Sequence, residues 1–136
     1  MYKILIVDDE PEVRSILIDV LEYSGLEIDV HEAGNGEEAL ESIRKDKFDL
    51  LLLDLKMPKM TGDDLLRAIR AEVEEPMPVI VVSGHLERDV IREIWGDGAF
   101  DFIHKVEAVD ELEEAVKKAI HFGPHVISHR KKAAGE

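Results

Sequence analysis

Two adjacent carboxylates, Asp8 and Asp9, directly follow the apolar run Ile4-Leu5-Ile6-Val7. A third, Asp54, follows Leu50-Leu51-Leu52-Leu53, Ser83 ends the run Val79-Ile80-Val81-Val82, and Lys105 lies just past Phe102-Ile103. Each closes an apolar segment of strand length. Strands running the same way in one sheet deliver such residues to a common edge, so these acids, the hydroxyl and the lysine can meet in one pocket. Crowded carboxylates repel one another, and a hard divalent cation relieves that. Mg²⁺ takes about six oxygens and keeps several of its waters, so few protein ligands are needed; Mn²⁺ is the second cation expected there. An ammonium and a hydroxyl donate to phosphoryl oxygens, and a carboxylate attacking phosphorus forms an acyl phosphate. The chemistry that fits is transfer of a phosphoryl group to an aspartate. Asp54 is the expected nucleophile, Asp8 and Asp9 the metal-holding acids, and Lys105 and Ser83 the groups on the phosphoryl oxygens.

Taken singly, none of these residues carries that reading. An Asp-Asp pair is often a solvated turn capping a helix, Asp54 alone reads as a surface or capping aspartate, Ser83 as a turn serine, and Lys105 as a surface lysine. The signal is their joint placement at the ends of successive apolar runs.

The elements that position them alternate strand and helix five times. Lys3–Val7 reads as a fully buried strand. Pro11 suits the first turn of the next helix, where its missing N–H is not needed. Val13, Ile16, Leu17, Val20 and Leu21 recur at helical spacing, and Gly25 supplies a stop. Glu27–Ala33 alternates more and reads as a second strand. Asn35 caps a second helix with Glu38 three residues on, and Ala39, Leu40 and Ile43 form its inner stripe. Asp49–Leu53, the most apolar strand, reads as central. A third helix starts near Thr61, with Asp64 three residues on, and turns Leu65, Leu66, Ile69 and Val73 inward. Pro76 and Pro78 mark the turn before Val79–Val82. Leu86–Trp95 is a short helix ended by Gly96 or Gly98, Asp101–Ile103 a short fifth strand, and Val109, Leu112, Val116 and Ile120 mark the last helix. Apolar strands between amphipathic helices predict an α/β fold with a parallel sheet covered on both faces. Sites in such sheets lie beyond the strand C-termini, near the switch in strand order. After Phe122 the periodicity stops, because Gly123 and Pro124 break the helix. Residues 1–122 are therefore expected to form one domain. Residues 123–136, with His125, His129, Arg130, Lys131 and Lys132, are expected to form a flexible basic tail or the start of a linker.

The bulk numbers exclude several classes. The chain has 136 residues, which suits one core. It has no cysteine, which rules out disulfides and thiolate metal sites and agrees with a reducing compartment. Asp8, Asp9 and Glu10 interrupt the first apolar run, unlike a secretory signal. No apolar stretch approaches the roughly 18 residues of a membrane span. The formal net charge of −14 disfavours non-specific nucleic-acid binding. A cytoplasmic location is expected.

In this order, the segments resemble the receiver domain of two-component response regulators, the CheY-like family. Ile4-Leu5-Ile6-Val7-Asp8-Asp9-Glu10 is similar to the family's acidic metal-binding opening. Asp54-Leu55-Lys56-Met57-Pro58, with Met60, Thr61 and Gly62, is similar to its phosphoacceptor loop. Ser83-Gly84 resembles its Ser/Thr followed by a small residue, and Gly98-Ala99-Phe100-Asp101-Phe102-Ile103-His104-Lys105 its last strand and lysine. The resemblance runs from about Lys3 to Ile120.

It implies a doubly wound, flavodoxin-like (βα)5 three-layer sandwich with strand order 2-1-3-4-5. It implies that Asp54 accepts a phosphoryl group from a histidine kinase or phosphotransfer protein in a Mg²⁺-dependent reaction and loses it by hydrolysis. This self-catalysed chemistry serves a signalling switch. Asp9 and Asp54 are the implied direct metal ligands, with the backbone carbonyl of Lys56 as a third and Asp8 acting through water. Ser83 and Phe102 are the implied switch pair, and Lys56 and His85 flank the pocket opening. The fourth helix, fifth strand and fifth helix form the implied output face, for a downstream protein, a fused C-terminal effector domain or a homodimer. Trp95 reads as core or as part of that face. Neither direct nucleic-acid binding nor membrane association by this domain is expected. One position departs from the family pattern: Val106 stands where proline, often cis, is usual. A cis bond to a non-proline residue costs about 2.5–4 kcal/mol, so a trans bond and an altered Lys105–Glu107 loop are expected.

Three other readings compete. A metal-dependent phosphatase with an aspartyl intermediate uses two acids one residue apart after the first strand, whereas Asp8 and Asp9 are adjacent and the nucleophile candidate lies in the third strand. A flavodoxin-like electron carrier needs a Gly/Ser/Thr phosphate loop after strand one. A phosphorylation-independent pseudo-receiver scaffold would usually have lost a pocket group, and only Val106 favours it. His104 and His121 read as surface or boundary residues, and Met57 and Met60 as packing residues.

Overall fold

The computed structural model describes residues 1–57, 59–73, 77–84, 92, 96 and 99–133, with side chains up to residue 122. Pro58, Pro76, His85, the expected helix Leu86–Trp95 apart from Arg92, and Gly98 lie outside the described residues. Five strands are present: β1 (Tyr2–Val7), β2 (Ile28–Ala33), β3 (Leu50–Leu53), β4 (Val79–Ser83) and β5 (Asp101–His104). They form one sheet in the order β2-β1-β3-β4-β5, and every pairing is parallel. The helices whose full bounds lie among the described residues are α1 (Pro11–Tyr23), α2 (Gly36–Lys45), α3 (Gly62–Glu72) and a C-terminal helix (Ala108–Ala133).

The strands are apolar at nearly every position because both sheet faces are covered. Side chains alternate between faces along a strand, which divides the core in two. Leu5, Val7, Leu51, Leu53, Val79 and Val81 pack with Leu40, Leu65, Leu66 and Ile69 of α2 and α3. Ile4, Ile6, Leu50, Leu52, Ile80 and Val82 pack with Leu17 and Leu21 of α1 and with Leu112 and Val116 of the C-terminal helix. The expected caps form. The Asn35 side chain accepts from the Glu38 N–H at 2.9 Å, and Thr61 Oγ1 accepts from the Asp64 N–H at 3.2 Å. Gly25, at φ +79°, supplies the left-handed turn after α1.

Three expectations change. Ile16 and Val109, placed on buried stripes by their spacing, are 49% and 63% exposed. Leu17 and Leu21 already fill the α1 contact with the sheet, and Leu112, Val116 and Ala119 fill that of the C-terminal helix. Ile16 and Val109 are left to line a surface cleft between the two helices, about 470 Å³, with Asp19, Val20, Tyr23 and Glu113. The last helix does not stop at Phe122 but runs through Gly123 and Pro124 to Ala133. An internal proline removes one helical hydrogen bond and costs about 3 kcal/mol. The segment 125–133 contains no further glycine or proline, so helix resumes beyond it.

Candidate functional site

The site is built from strand register. Val7 pairs with Leu53, so Asp8 and Asp54 stand level, one step beyond the paired ends of β1 and β3. The Asp54 N–H donates to the Val7 carbonyl at 2.9 Å, which extends the ladder into the site. Leu53 pairs with Val81 and Ser83 with His104, so Ser83 and Lys105 arrive at the same edge. Behind Asp54, the first turn of α3 sits against the strand backbone. The Gly62 N–H donates to the Leu55 carbonyl at 2.9 Å, and a Cβ at residue 62 would lie 2.7 Å from the Leu55 Cα. Only glycine permits that approach.

Asp8 and Asp54 are buried, at 1% and 4% exposure. Lys105 Nζ lies 3.2 Å from Asp8 Oδ2, 3.4 Å from Asp54 Oδ2 and 3.9 Å from Glu10 Oε1. The Lys56 backbone N–H also bonds the Asp54 carboxylate. Burial, helped by the Asp8 charge, pushes the Asp54 carboxyl above the usual carboxylate range, against the pull of Lys105 and of the Lys56 N–H. For Lys105, burial works against the charge, but Asp54, Asp8 and Glu10 together hold the ammonium above the usual lysine range.

The Asp8 carboxylate is used unevenly. Its Oδ1 accepts from the Glu10 N–H at 2.8 Å. Its Oδ2 is buried and makes no aligned hydrogen bond, although Lys105 Nζ is within ion-pair distance. Lys105 meets this oxygen as an ion pair without an aligned hydrogen bond, which leaves acceptor capacity on Oδ2. A buried carboxylate oxygen with spare lone pairs is where a cation would sit. One carboxylate oxygen from each of Asp8, Asp9 and Glu10 lies within 4.8 Å of the others. All-oxygen donors suit a hard divalent ion, so the residues present fit Mg²⁺.

Of the residues expected from sequence, Asp8, Asp54 and Lys105 meet directly, and Asp9 stands beside them in the acid cluster. Ser83 is fully buried at the end of β4. Phe102 is half-buried against the α2–α3 side of the core. The Lys56 side chain is exposed at the rim. His104 accepts at Nδ1 from the Val106 N–H, at 3.3 Å, and so caps the 3-10 turn Lys105–Glu107. No peptide bond among the described residues is cis. Two participants were not foreseen. Glu10 joins the lysine network and was visible as a third consecutive acid. Arg14 donates to the Asp8 carbonyl and to Glu32, and sequence spacing gives no signal for a bond to a backbone oxygen.

Residues 4–117 match the family described as response regulator receiver domain. Sporulation initiation phosphotransferase F of Bacillus subtilis is 37% identical over 116 residues, 85% of this chain and 91% of that protein. Chemotaxis protein CheY of Pseudomonas aeruginosa is 38% identical over 117 residues, 85% of this chain and 94% of that one. Among solved structures, response regulator protein TrrA of Thermotoga maritima, in complex with Mg²⁺-BeF, superposes with a TM-score of 0.76 at 33% identity, covering 87% of this chain and 98% of that one. No helix among the described residues is long and apolar enough to cross a membrane.

Proposed function

This chain belongs to the response regulator receiver domain family of two-component systems, and on that premise we propose that Asp54 is its phosphoacceptor. The observation that carries the reading is the convergence of Lys105 on two buried carboxylates, Asp8 and Asp54. An Asp54 oxygen attacks the phosphorus of a phosphohistidine on a kinase or phosphotransfer protein. The P–N bond breaks, its electron pair returns to the imidazole, and an acyl phosphate forms. Lys105 keeps Asp54 ionised beforehand and then follows the charge onto the phosphoryl oxygens. Ser83 supplies one O–H to those oxygens, and Phe102 repacks as Ser83 moves. Asp8, Asp9, Asp54 and the Lys56 carbonyl would hold Mg²⁺, or Mn²⁺ in its place, which would supply positive charge beside the transferring group. Water attack on the acyl phosphate restores the carboxylate and releases phosphate. The Lys56 side chain and His85 govern access of that water.

Residues 1–122 are the receiver, and 123–136 lead away from it toward a linker or effector. The donor is proposed to dock beside Lys105. Among the described residues, the exposed large apolar side chains other than Met1 are Ile16, Tyr23, Val106, Val109 and Phe122. All lie on α1, the turn after Lys105 or the C-terminal helix. The output face comprises residues 86–95, β5 and the C-terminal helix, for a downstream protein or a second copy. The proposed location is the cytoplasm. No observation favours the phosphatase or electron-carrier readings, and Val106 alone favours the inactive scaffold.

Intact mass after incubation with Mg²⁺ and acetyl phosphate tests the proposal. One added phosphoryl group is expected, dependent on Mg²⁺ and absent in Asp54→Asn. Failure of the native chain with both acetyl phosphate and kinase donors, while Mg²⁺ binds, would refute it.

A further inference from the structure

We infer that Arg14, anchored by Glu32, is a positioning residue that sets the cation affinity of the Asp8–Asp9–Glu10 cluster; this rests on reading that cluster as a metal site. Arg14 lies on α1, and its guanidinium forks. One arm, Nη1, donates to the backbone carbonyl of Asp8. The Nε–H donates to Glu32 Oε1, 2.9 Å away near the end of β2. The Arg14 side chain is 16% exposed and that of Glu32 47%, so the Asp8 arm of the fork is the better shielded from water.

With that bond counted, Asp8 is held at three atoms. Its N–H donates to the Ala33 carbonyl at 3.1 Å, its carbonyl accepts from Arg14, and its Oδ1 accepts from the Glu10 N–H at 2.8 Å. The remaining polar atom is Oδ2, the buried oxygen next to Lys105. The peptide joining Asp8 to Asp9 therefore has its plane fixed from α1 and β2, and both carboxylates inherit their direction from it. A guanidinium suits this task because its donors have a fixed planar geometry, which an ammonium lacks.

Charge and placement act in opposite directions on a bound cation. The guanidinium charge repels a divalent ion, so its removal alone would tighten binding. Loss of the anchor lets the carboxylates turn away, which loosens binding. The sign of the change separates the two.

The test is calorimetric titration of the full chain with Mg²⁺ alone, alongside thermal denaturation without Mg²⁺. Arg14→Ala is expected to weaken Mg²⁺ binding by about tenfold, as loss of a group that orients metal ligands typically does. Arg14→Lys should recover part of the loss. Glu32→Gln, which keeps the Arg14 charge and weakens its anchor, should shift affinity less but in the same direction. Arg44→Ala removes a cation paired with Glu72 on α3, 2.6 Å away, and should leave Mg²⁺ affinity unchanged. Unchanged or tighter binding in a folded Arg14→Ala overturns the inference, as does an equal loss in Arg44→Ala. If Arg14→Ala does not fold, Arg14→Lys decides, because it keeps the charge and loses the planar fork: native affinity there overturns the inference. A native chain that takes up no Mg²⁺ overturns the metal reading first, and this inference with it.

Discussion

Asp54 and Lys105 face each other across one pocket, yet the strands that deliver them differ. β3 is interior, paired with β1 and β4, and each of its four residues is buried. β5 is an edge strand paired with β4, and one of its four residues is buried. The acid is set by backbone pairing on both sides and by the α3 turn behind it. The lysine reaches the acids on a flexible stem that is 23% exposed. The pocket thus joins a fixed anion to an adjustable cation. A cation that already divides its distance among three carboxylates can move to an incoming phosphoryl group without any change of strand register.

The contrast breaks first if packing does not follow it. Leu52→Ala on β3 is expected to cost about 2–5 kcal/mol, read by denaturant unfolding. Phe102→Ala on β5 should cost about half as much, because that ring is half-buried. Equal losses would mean that the two strands are held alike.

Removing the charges sharpens the contrast. Asp54→Asn should raise the melting temperature at neutral pH without Mg²⁺, because it removes a buried carboxylate whose ionisation the fold opposes. A raised carboxyl pKa means that the folded state holds this proton more tightly than the unfolded state does. The Asp54 contribution is therefore most favourable at acid pH and declines as pH rises from the ordinary carboxylate value through the folded one. The stability difference between Asp54→Asn and the native chain should widen across that window and then level off. Lys105 has the opposite outcome. Its raised pKa gives stability that is fully present below the ordinary lysine value and lost as pH rises through the folded one. Lys105→Met should therefore be less stable than the native chain at neutral pH, with the gap closing in alkali. A constant gap would mean that Lys105 is not paired with the acids.

The smallest effect is expected at Val106→Pro. It deletes the N–H bonded to His104, a loss of about 0.5–1.5 kcal/mol. It also stiffens the unfolded chain, a gain of about 0.4–1 kcal/mol. A net loss above about 2 kcal/mol, read by thermal unfolding, would show that the turn after β5 is fixed as firmly as the end of β3.

The parallel sheet and the meeting of Asp8, Asp54 and Lys105 were legible because buried parallel strands must be apolar throughout, so the polar residues just after each run mark the edge; the strand order was legible only through the family resemblance. The caps at Asn35 and Thr61 were legible because they depend on neighbours three residues away. What sequence missed depends on contacts between elements. Arg14 binds a backbone oxygen, which no side-chain pattern encodes. Ile16 and Val109 match the helical period but fall outside a contact that other residues already fill. Pro124 breaks most helices, and its sequence position does not say whether the chain beyond it resumes.

That resumed helix has a mechanical consequence. It has 26 residues, so at 1.5 Å per residue it is about 39 Å long, and among its described side chains the buried ones run from Ala108 to Ala119. It begins directly after the turn that holds Lys105. A tilt of about 5° at its base would carry its far end about 3 Å. The core end acts as a fulcrum and the length of the helix as a lever arm, turning displacements too small to see at the pocket into ones large enough for another molecule to read.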